Sequence, residues 1–383
     1  MLTGEDSVEH YLDNSATTRV SKAAADKAYE VMRENYGNPS SLHTLGFRAE
    51  QELNAARAAL AKALGVNDDE IYFTSGGTEA NNTAVFGTVK WLRRRGNRIV
   101  TTAIEHSSVY EAINHLEEEG FEVVRVKPDE NGNFTAEQFA DVIDEKTILV
   151  SVMAVNNEIG TILPIEKLRR IIDKSSSPAM LHCDCVQAFG KIPLKLKKLG
   201  VDLATVSGLK IHAPKGVGAL YVRKEARIKP LHFGGEQEKK LRPGTEALPL
   251  IAGFGEAVKE IDIPKSYPAI RQLNSYAKEK LGSIEGVVFN SPDDALPYII
   301  NISALGIRSE TMLHHLEKKG IYISSGSACA KGKPSHVLSA MGIGRDRADS
   351  ALRISFSAEN CRDDIDALAD ALTEGINTLV KRK

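Results

Sequence analysis

The chain reads as an α/β protein, with a large domain built on a mostly parallel seven-stranded sheet between helices and a smaller α+β domain behind it. Three observations carry that expectation. From about Ile71 to Val222, short β-branched runs alternate with amphipathic stretches, which is the pattern of a parallel sheet covered on both faces. Past about Pro264 the alternation gives way to a long polar helix and scattered strands. The length of 383 residues suits about two domains at roughly 150 residues each.

In chain order, strands are expected at Ile71 to Thr74, Arg98 to Thr102, Glu122 to Val126, Ile148 to Val155, Met180 to Cys183, Asp202 to Ser207 and Gly218 to Val222. Each is a short run of Val, Ile, Leu or Thr bounded by turn-forming residues. Between them, Glu79 to Arg94, Val109 to Glu119, Thr135 to Ile143 and Ile165 to Asp173 carry charges on one side and aliphatics on the other, as surface helices do. The second domain is expected to hold a strand at Tyr298 to Ser303, a helix near Glu310 to Lys319, strands at Ile321 to Ser324 and Ala351 to Phe356, and a last helix from Arg362. Two Gly-rich polar stretches, Phe233 to Thr245 and Ser324 to Ser335, read as loops.

Composition excludes several classes. With 49 Lys+Arg against 51 Asp+Glu, the net charge of -2 gives no global field to hold nucleic acid or an anionic membrane. The basic clusters Arg93-Arg94-Arg95 and Lys195 with Lys197-Lys198 read as solvated helix ends. The apolar run from Ile148, broken by Ser151, falls short of the roughly 20 residues that cross a membrane. Glu5, Asp6 and Glu9 near the start are unlike a secretory leader, and four cysteines do not make a disulfide framework. A cytoplasmic, reducing address is the expectation.

Three short segments could carry chemistry. Thr74-Ser75-Gly76-Gly77-Thr78-Glu79 follows a strand and opens a helix, where exposed backbone amides and the helix dipole attract an anion such as phosphate. Taken alone it also reads as a capped tight turn. His182-Cys183-Asp184-Cys185-Val186-Gln187 ends a buried strand, so Asp184 needs a cation or donor as partner. Alternation puts Cys183 and Cys185 on the face opposite His182 and Asp184, which speaks against a metal site and for two small buried thiols. Ser207 to Gly216 places Lys210 at another strand end, where it reads either as a solvated lysine or, if kept among apolar neighbours, as a nucleophilic amine. A phosphate pocket, a strand-end aspartate and such a lysine together form the parts list for pyridoxal 5'-phosphate.

These residues resemble the cysteine desulfurases of the NifS/IscS type, class-V aminotransferases among the fold-type-I pyridoxal-phosphate enzymes. The resemblance runs almost end to end: Tyr11-Leu12-Asp13-Asn14-Ser15-Ala16-Thr17-Thr18, Gly37-Asn38-Pro39-Ser40-Ser41, the Ser-Gly-Gly-Thr-Glu turn, Glu105-His106, Val155-Asn156-Asn157-Glu158-Ile159-Gly160, Asp184 with Gln187, the lysine loop, Arg242-Pro243-Gly244-Thr245, and Ser324-Ser325-Gly326-Ser327-Ala328-Cys329. It implies a division into residues 16–263, binding the cofactor, and residues 1–15 with 264–383, carrying the Cys329 loop.

The resemblance also implies roles. Lys210 would bind the cofactor covalently and then move protons. Asp184 would keep the pyridine nitrogen protonated, Gln187 would bond the phenolic oxygen, and His106 would stack on the ring and assist proton transfer. Gly77, Thr78 and Ser207 would hold the phosphate, joined by Thr245 of a neighbouring subunit in a homodimer. Asn157 would touch cofactor and substrate; Arg353, by a bidentate pair, and Asn38 would complete the substrate site. Taken alone, His106 reads as a capping or core histidine and Arg353 as an ordinary ion-pair partner. Cys329, with Lys331 and Lys333 favouring its thiolate, would take sulfur from L-cysteine, release L-alanine and pass the persulfide sulfur to an acceptor protein, such as an iron-sulfur scaffold. Cys361 reads as structural. No metal and no direct nucleic-acid contact are expected.

Two departures stand out. Leu209 occupies the position where the family usually carries a phosphate-contacting His; the segment Phe233 to Lys240 has an insertion-like polar texture, and Pro243 replaces a common Ser. Selenocysteine lysis, class-V transamination and a non-catalytic scaffold with weakened cofactor binding are the alternative readings. Cys329 separates the first reading from transamination, which needs no loop nucleophile.

Overall fold

The computed structural model describes residues 9–325 and 335–380. The expected Cys329, Lys331 and Lys333 lie outside these residues, as do Glu5 and Asp6.

The chain opens with β1 (His10–Tyr11), α1 (Lys22–Arg33) and α2 (Thr44–Leu64). The large sheet is then built from β2 (Ile71–Thr74), α3 (Gly77–Leu92), β3 (Arg98–Thr102), α4 (Ser107–Glu118), β4 (Glu122–Val126), α5 (Ala136–Ala140), β5 (Thr147–Met153), α6 (Ile165–Lys174), β6 (Met180–Asp184), α7 (Leu196–Leu199), β7 (Leu203–Ser207) and β8 (Gly218–Val222). Its order is β2-β8-β7-β6-β5-β3-β4, seven strands as expected. Only β8 runs antiparallel to its neighbours; the pairs from β7 to β4 are parallel. All seven residues of β5 are buried, as a central strand covered on both faces requires.

After β8 come α8 (Leu248–Lys259), α9 (Ile263–Gly282), β9 (Val287–Phe289), β10 (Ile299–Ala304), α10 (Ser309–Glu317), β11 (Ile321–Tyr322), α11 (His336–Ala340), α12 (Arg345–Asp349), β12 (Ala351–Ser355) and α13 (Arg362–Thr378). β12, β10 and β9 form an antiparallel sheet, while β1 pairs parallel with β11.

Several expectations shift. β5 stops at Met153 because Val155 leaves the sheet to bridge Ile162. α5 is shorter than Thr135 to Ile143, since Thr135 is its cap, accepting a hydrogen bond from Gln138 N at 3.4 Å. Phe233 to Thr245 is not a purely solvated loop: a 3-10 turn at Gln237–Lys240 buries Glu238. α1, α2 and α8 were not anticipated; α1 and α2 both pack on α8.

One irregular strip connects the parts. Asn14 N donates to Ser355 O at 3.3 Å and Ser15 N to Ser355 Oγ at 2.8 Å, whereas Thr18 N reaches Leu209 O at 2.9 Å. Residues 12–18 therefore run from the end of β12 to the loop after β7.

Candidate active site

In a parallel sheet, loops leaving the carboxyl ends of the strands face one crevice. β2 runs in the direction of β7, since both are antiparallel to β8. The same edge thus collects Gly77 and Thr78 after β2, His106 after β3, Asn157 after β5, Asp184 and Gln187 at β6, and Ser207 and Lys210 at β7.

The turn after β2 packs tightly. A Cβ on Gly77 would lie 3.1 Å from Val186 Cγ2 and 3.6 Å from Ser207 Cβ, so a glycine lets the helix start approach β7. Ser207 Oγ is buried without a partner among the described residues, and it faces the helix start beside exposed Thr78. Buried hydroxyls are normally bonded, so this one fits an acceptor brought by a ligand.

Asp184 is buried and its oxygens are engaged, one by Asn81 Nδ2 at 2.8 Å and the other by Val186 N at 3.0 Å. Asn81, on α3, is a partner that local sequence did not reveal. The same amide nitrogen donates to Ser108 Oγ at 2.8 Å. His106 caps α4, its Nδ1 accepting from Ser108 N at 3.2 Å. Burial pushes its pKa down, opposed by the carboxylate of Asp184 and reinforced by the charge of Lys210. The capping role and a place in the site therefore coincide.

Lys210 Nζ donates to Ser15 O at 2.7 Å and to Ala16 O. Gln187 Nε2 donates to the same Ser15 O at 3.0 Å, while its Oε1 accepts from Lys191 Nζ at 2.8 Å. On the opposite wall, Arg353 of β12 is 3% exposed; its Nη2 holds Asp13 Oδ1 at 2.8 Å and its Nη1 holds Asn157 O at 3.0 Å. Arg353 Nε stays buried without a partner among the described residues, which leaves donor capacity in the guanidinium fork. Burial pushes Asp13 up, and Arg353 counters it.

Two acids to which the sequence reading gave no role, Glu105 next to His106 and Glu158 after Asn157, are buried. Glu105 is fully buried, accepts from Thr102 Oγ1 at 2.6 Å and Met153 N at 3.1 Å, and is pushed up to about 8 by burial. Glu158 is raised by burial and accepts from Ser335 Oγ at 2.6 Å. His336 Nε2 lies 2.9 Å from Glu105 O, and Ser324 pairs with the backbone of Arg353. Both flanks of the segment that carries Cys329 are thus fixed beside the site.

Among the described residues, the hydrogen bonds of Asn38 and of the loop bearing Thr245 run elsewhere. Asn38 is exposed and accepts from Ser40 N at 2.9 Å within its own loop. Thr245 is exposed in an open recess of about 550 Å³ lined also by Glu79, Phe233 and Arg242, whose Nε bonds Glu79 at 3.0 Å. Cys183 and Cys185 are buried among apolar residues, and no cluster of three or more His, Cys, Asp or Glu suited to a metal occurs among the described residues. Cys361 is exposed at the start of α13.

A family model for class-V aminotransferases matches residues 10–368. Cysteine desulfurase IscS of Methanosarcina thermophila is 40% identical over 374 residues, covering 96% of this chain and 92% of that protein. Putative cysteine desulfurase IscS 1 of Bacillus subtilis is 37% identical over 377 residues, covering 96% and 99%. A solved structure of a NifS-like protein superposes with a TM-score of 0.92 at 38% identity, covering 97% of this chain and 100% of that one.

Proposed function

Because this chain belongs to the class-V aminotransferase family, and within it to the cysteine desulfurases, we propose that it binds pyridoxal 5'-phosphate at Lys210 and takes sulfur from L-cysteine onto Cys329. The observation that carries this reading is the meeting of the Lys210 amine with Gln187 on one carbonyl, at the crevice that Asp184, His106 and Arg353 also line.

The residues fit the cofactor. Buried, unpaired Ser207 Oγ, the side-chain-free approach at Gly77 and the start of α3 suit its phosphate. Asp184, fixed by Asn81 and kept as an acceptor, suits a protonated ring nitrogen. When bound, the group supplies an electron sink for an amino-acid substrate. Lys210 Nζ moves protons at the substrate carbon skeleton, with His106 assisting. Arg353 holds the substrate carboxylate through its fork, steadied by Asp13, and Asn157 closes that side. The Cys329 thiolate bonds to the substrate sulfur, the carbon–sulfur bond breaks with its electron pair left on carbon, and that carbon takes up a proton. L-Alanine leaves and a persulfide stays on the protein for transfer to an acceptor such as an iron-sulfur scaffold.

In the same proposal, residues 16–263 form the cofactor domain and residues 1–15 with 264–383 the smaller one, of which 1–8, 326–334 and 381–383 lie outside the described residues. The protein works as a homodimer in the cytoplasm, with Thr245 reaching the partner's phosphate site and Asn38 contributing to the substrate site. No helix among the described residues is long and apolar enough to cross a membrane. The test is reconstitution with pyridoxal 5'-phosphate. Wild type is expected to develop an absorption band near roughly 400 nm from the covalent lysine adduct, absent in Lys210→Ala; a band that persists in that variant contradicts the assignment of Lys210.

A further inference from the structure

We propose that Lys191 is a positioning residue for the Lys210 centre, holding the Gln187 carboxamide with its Nε2 turned toward Ser15 and Lys210. The inference rests on the proposed reading in which Gln187 donates to the phenolic oxygen of the cofactor.

The two ends of a carboxamide have nearly the same shape, so a flip exchanges donor for acceptor unless neighbours decide. At Gln187 both ends are decided. Lys191 Nζ donates to Oε1 at 2.8 Å and, in its protonated form, can only donate. Nε2 then points to Ser15 O at 3.0 Å, the atom that also receives Lys210 Nζ at 2.7 Å. A continuous polar chain runs Lys191, Gln187, Ser15, Lys210. Gln187 and Lys191 are 4% and 5% exposed, so solvent does not compete for the amide.

Filling space alone would not call for an amine. A buried ammonium is costly unless paired, and Lys191 is fully enclosed, with its pKa pushed down to about 7 by burial and further by the charges of Lys210 and Arg353. The ring of Tyr298 faces it at 5.9 Å, a weak counterweight. Methionine would fill the same volume at no electrostatic cost, but it would remove the donor to Gln187 Oε1 and leave the amide held at one end only, by Ser15 O.

The experiment is a double-mutant cycle on cofactor affinity. Wild type, Lys191→Met, Gln187→Ala and the double variant are stripped, checked for folding by thermal melting, and titrated with pyridoxal 5'-phosphate by absorbance. Each single variant is expected to bind about tenfold more weakly. In the Gln187→Ala background, Lys191→Met should cost less than about twofold, since its effect passes through the amide. The bound absorption maximum should move in Lys191→Met, because the donor to the phenolic oxygen is no longer fixed. Should Lys191→Met fail to fold, Lys191→Leu, which carries no donor, serves the same test. Equal losses in both backgrounds, or undiminished affinity in the single Lys191 variant, overturn the role of Lys191. A Gln187→Ala variant that binds like wild type overturns the Gln187 contact, and the Lys191 role with it. Wild-type protein that does not bind the cofactor overturns the functional reading itself.

Discussion

Glu105 shows how burial turns one side chain into a term in the pH dependence of stability. Its carboxyl rises from 4.5 to about 8 through desolvation, outweighing the bonds from Thr102 and Met153 N. An acid that binds its proton more tightly when folded loses stability as pH rises from about 4.5 to about 8, because the unfolded chain gives up that proton first. Glu105→Gln is therefore expected to gain stability over wild type at pH 8 relative to pH 5, read from urea unfolding at both values. His182, buried between Ser151 and Thr205 and pushed down to about 3 from 6.5, acts oppositely and loses stability as pH falls through that window. Leu209 offers a second residue-scale prediction. Its backbone oxygen is used by Thr18, but its side chain brings no donor beside Lys210. Leu209→His is expected to tighten pyridoxal 5'-phosphate by about 1.5 to 3 kcal/mol, measured by titration; unchanged affinity contradicts the missing-contact argument. The sequence showed which residue types stand at the strand ends, because those positions are local. It did not show that Asn81 bonds Asp184, 103 positions away, or that Lys191 is enclosed, because both depend on packing between distant segments.

Among the elements, the 3-10 turn at Gln237–Lys240 departs most from its polar sequence. Glu238, Lys239 and Lys240 all adopt positive φ, a conformation that L residues hold only when their surroundings demand it. The demand comes from Glu238, whose carboxylate takes a bidentate pair from Arg57 at 2.7 and 3.0 Å and also accepts from Phe73 N at 2.9 Å. Arg57 in turn lies 4.9 Å over the Phe73 ring. Removing one partner of a buried pair strands the other, so Glu238→Ala should cost about 3 kcal/mol in chemical denaturation; a loss under 1 kcal/mol would contradict the pairing. Nothing in a run of Glu, Gln and Lys signals which charge turns inward. The strands were legible because β-branched runs between turn residues are a local signal, and β2, β3, β4 and β8 keep their expected bounds. α2 carried a signal that went unread: buried Leu53, Ala56, Leu60 and Leu64 repeat at three to four residues.

At the scale of the whole molecule, one stretch of chain exposes several large apolar side chains. Tyr29, Met32, Tyr36, Leu42 and Phe47, from α1 to the start of α2, are all exposed. A homodimer covering them agrees with the proposed sharing of Thr245. Sedimentation should therefore give twice the mass of the chain, and Met32→Asp should shift it toward monomer and weaken cofactor binding together; a monomeric wild type would contradict the shared site. The fold as a whole follows from the sheet: β2, β3, β5, β6 and β7 end at one edge, and the strip of residues 12–18 joins that edge to the wall bearing Arg353. The central claim is sulfur transfer to Cys329. Its most direct test is to incubate purified protein with L-cysteine and measure alanine together with the mass of the peptide containing Cys329. The expected result is alanine formation with one added sulfur on that peptide, both lost in Cys329→Ala. Alanine formed at an undiminished rate by Cys329→Ala, or no alanine from wild type holding its cofactor, would contradict it.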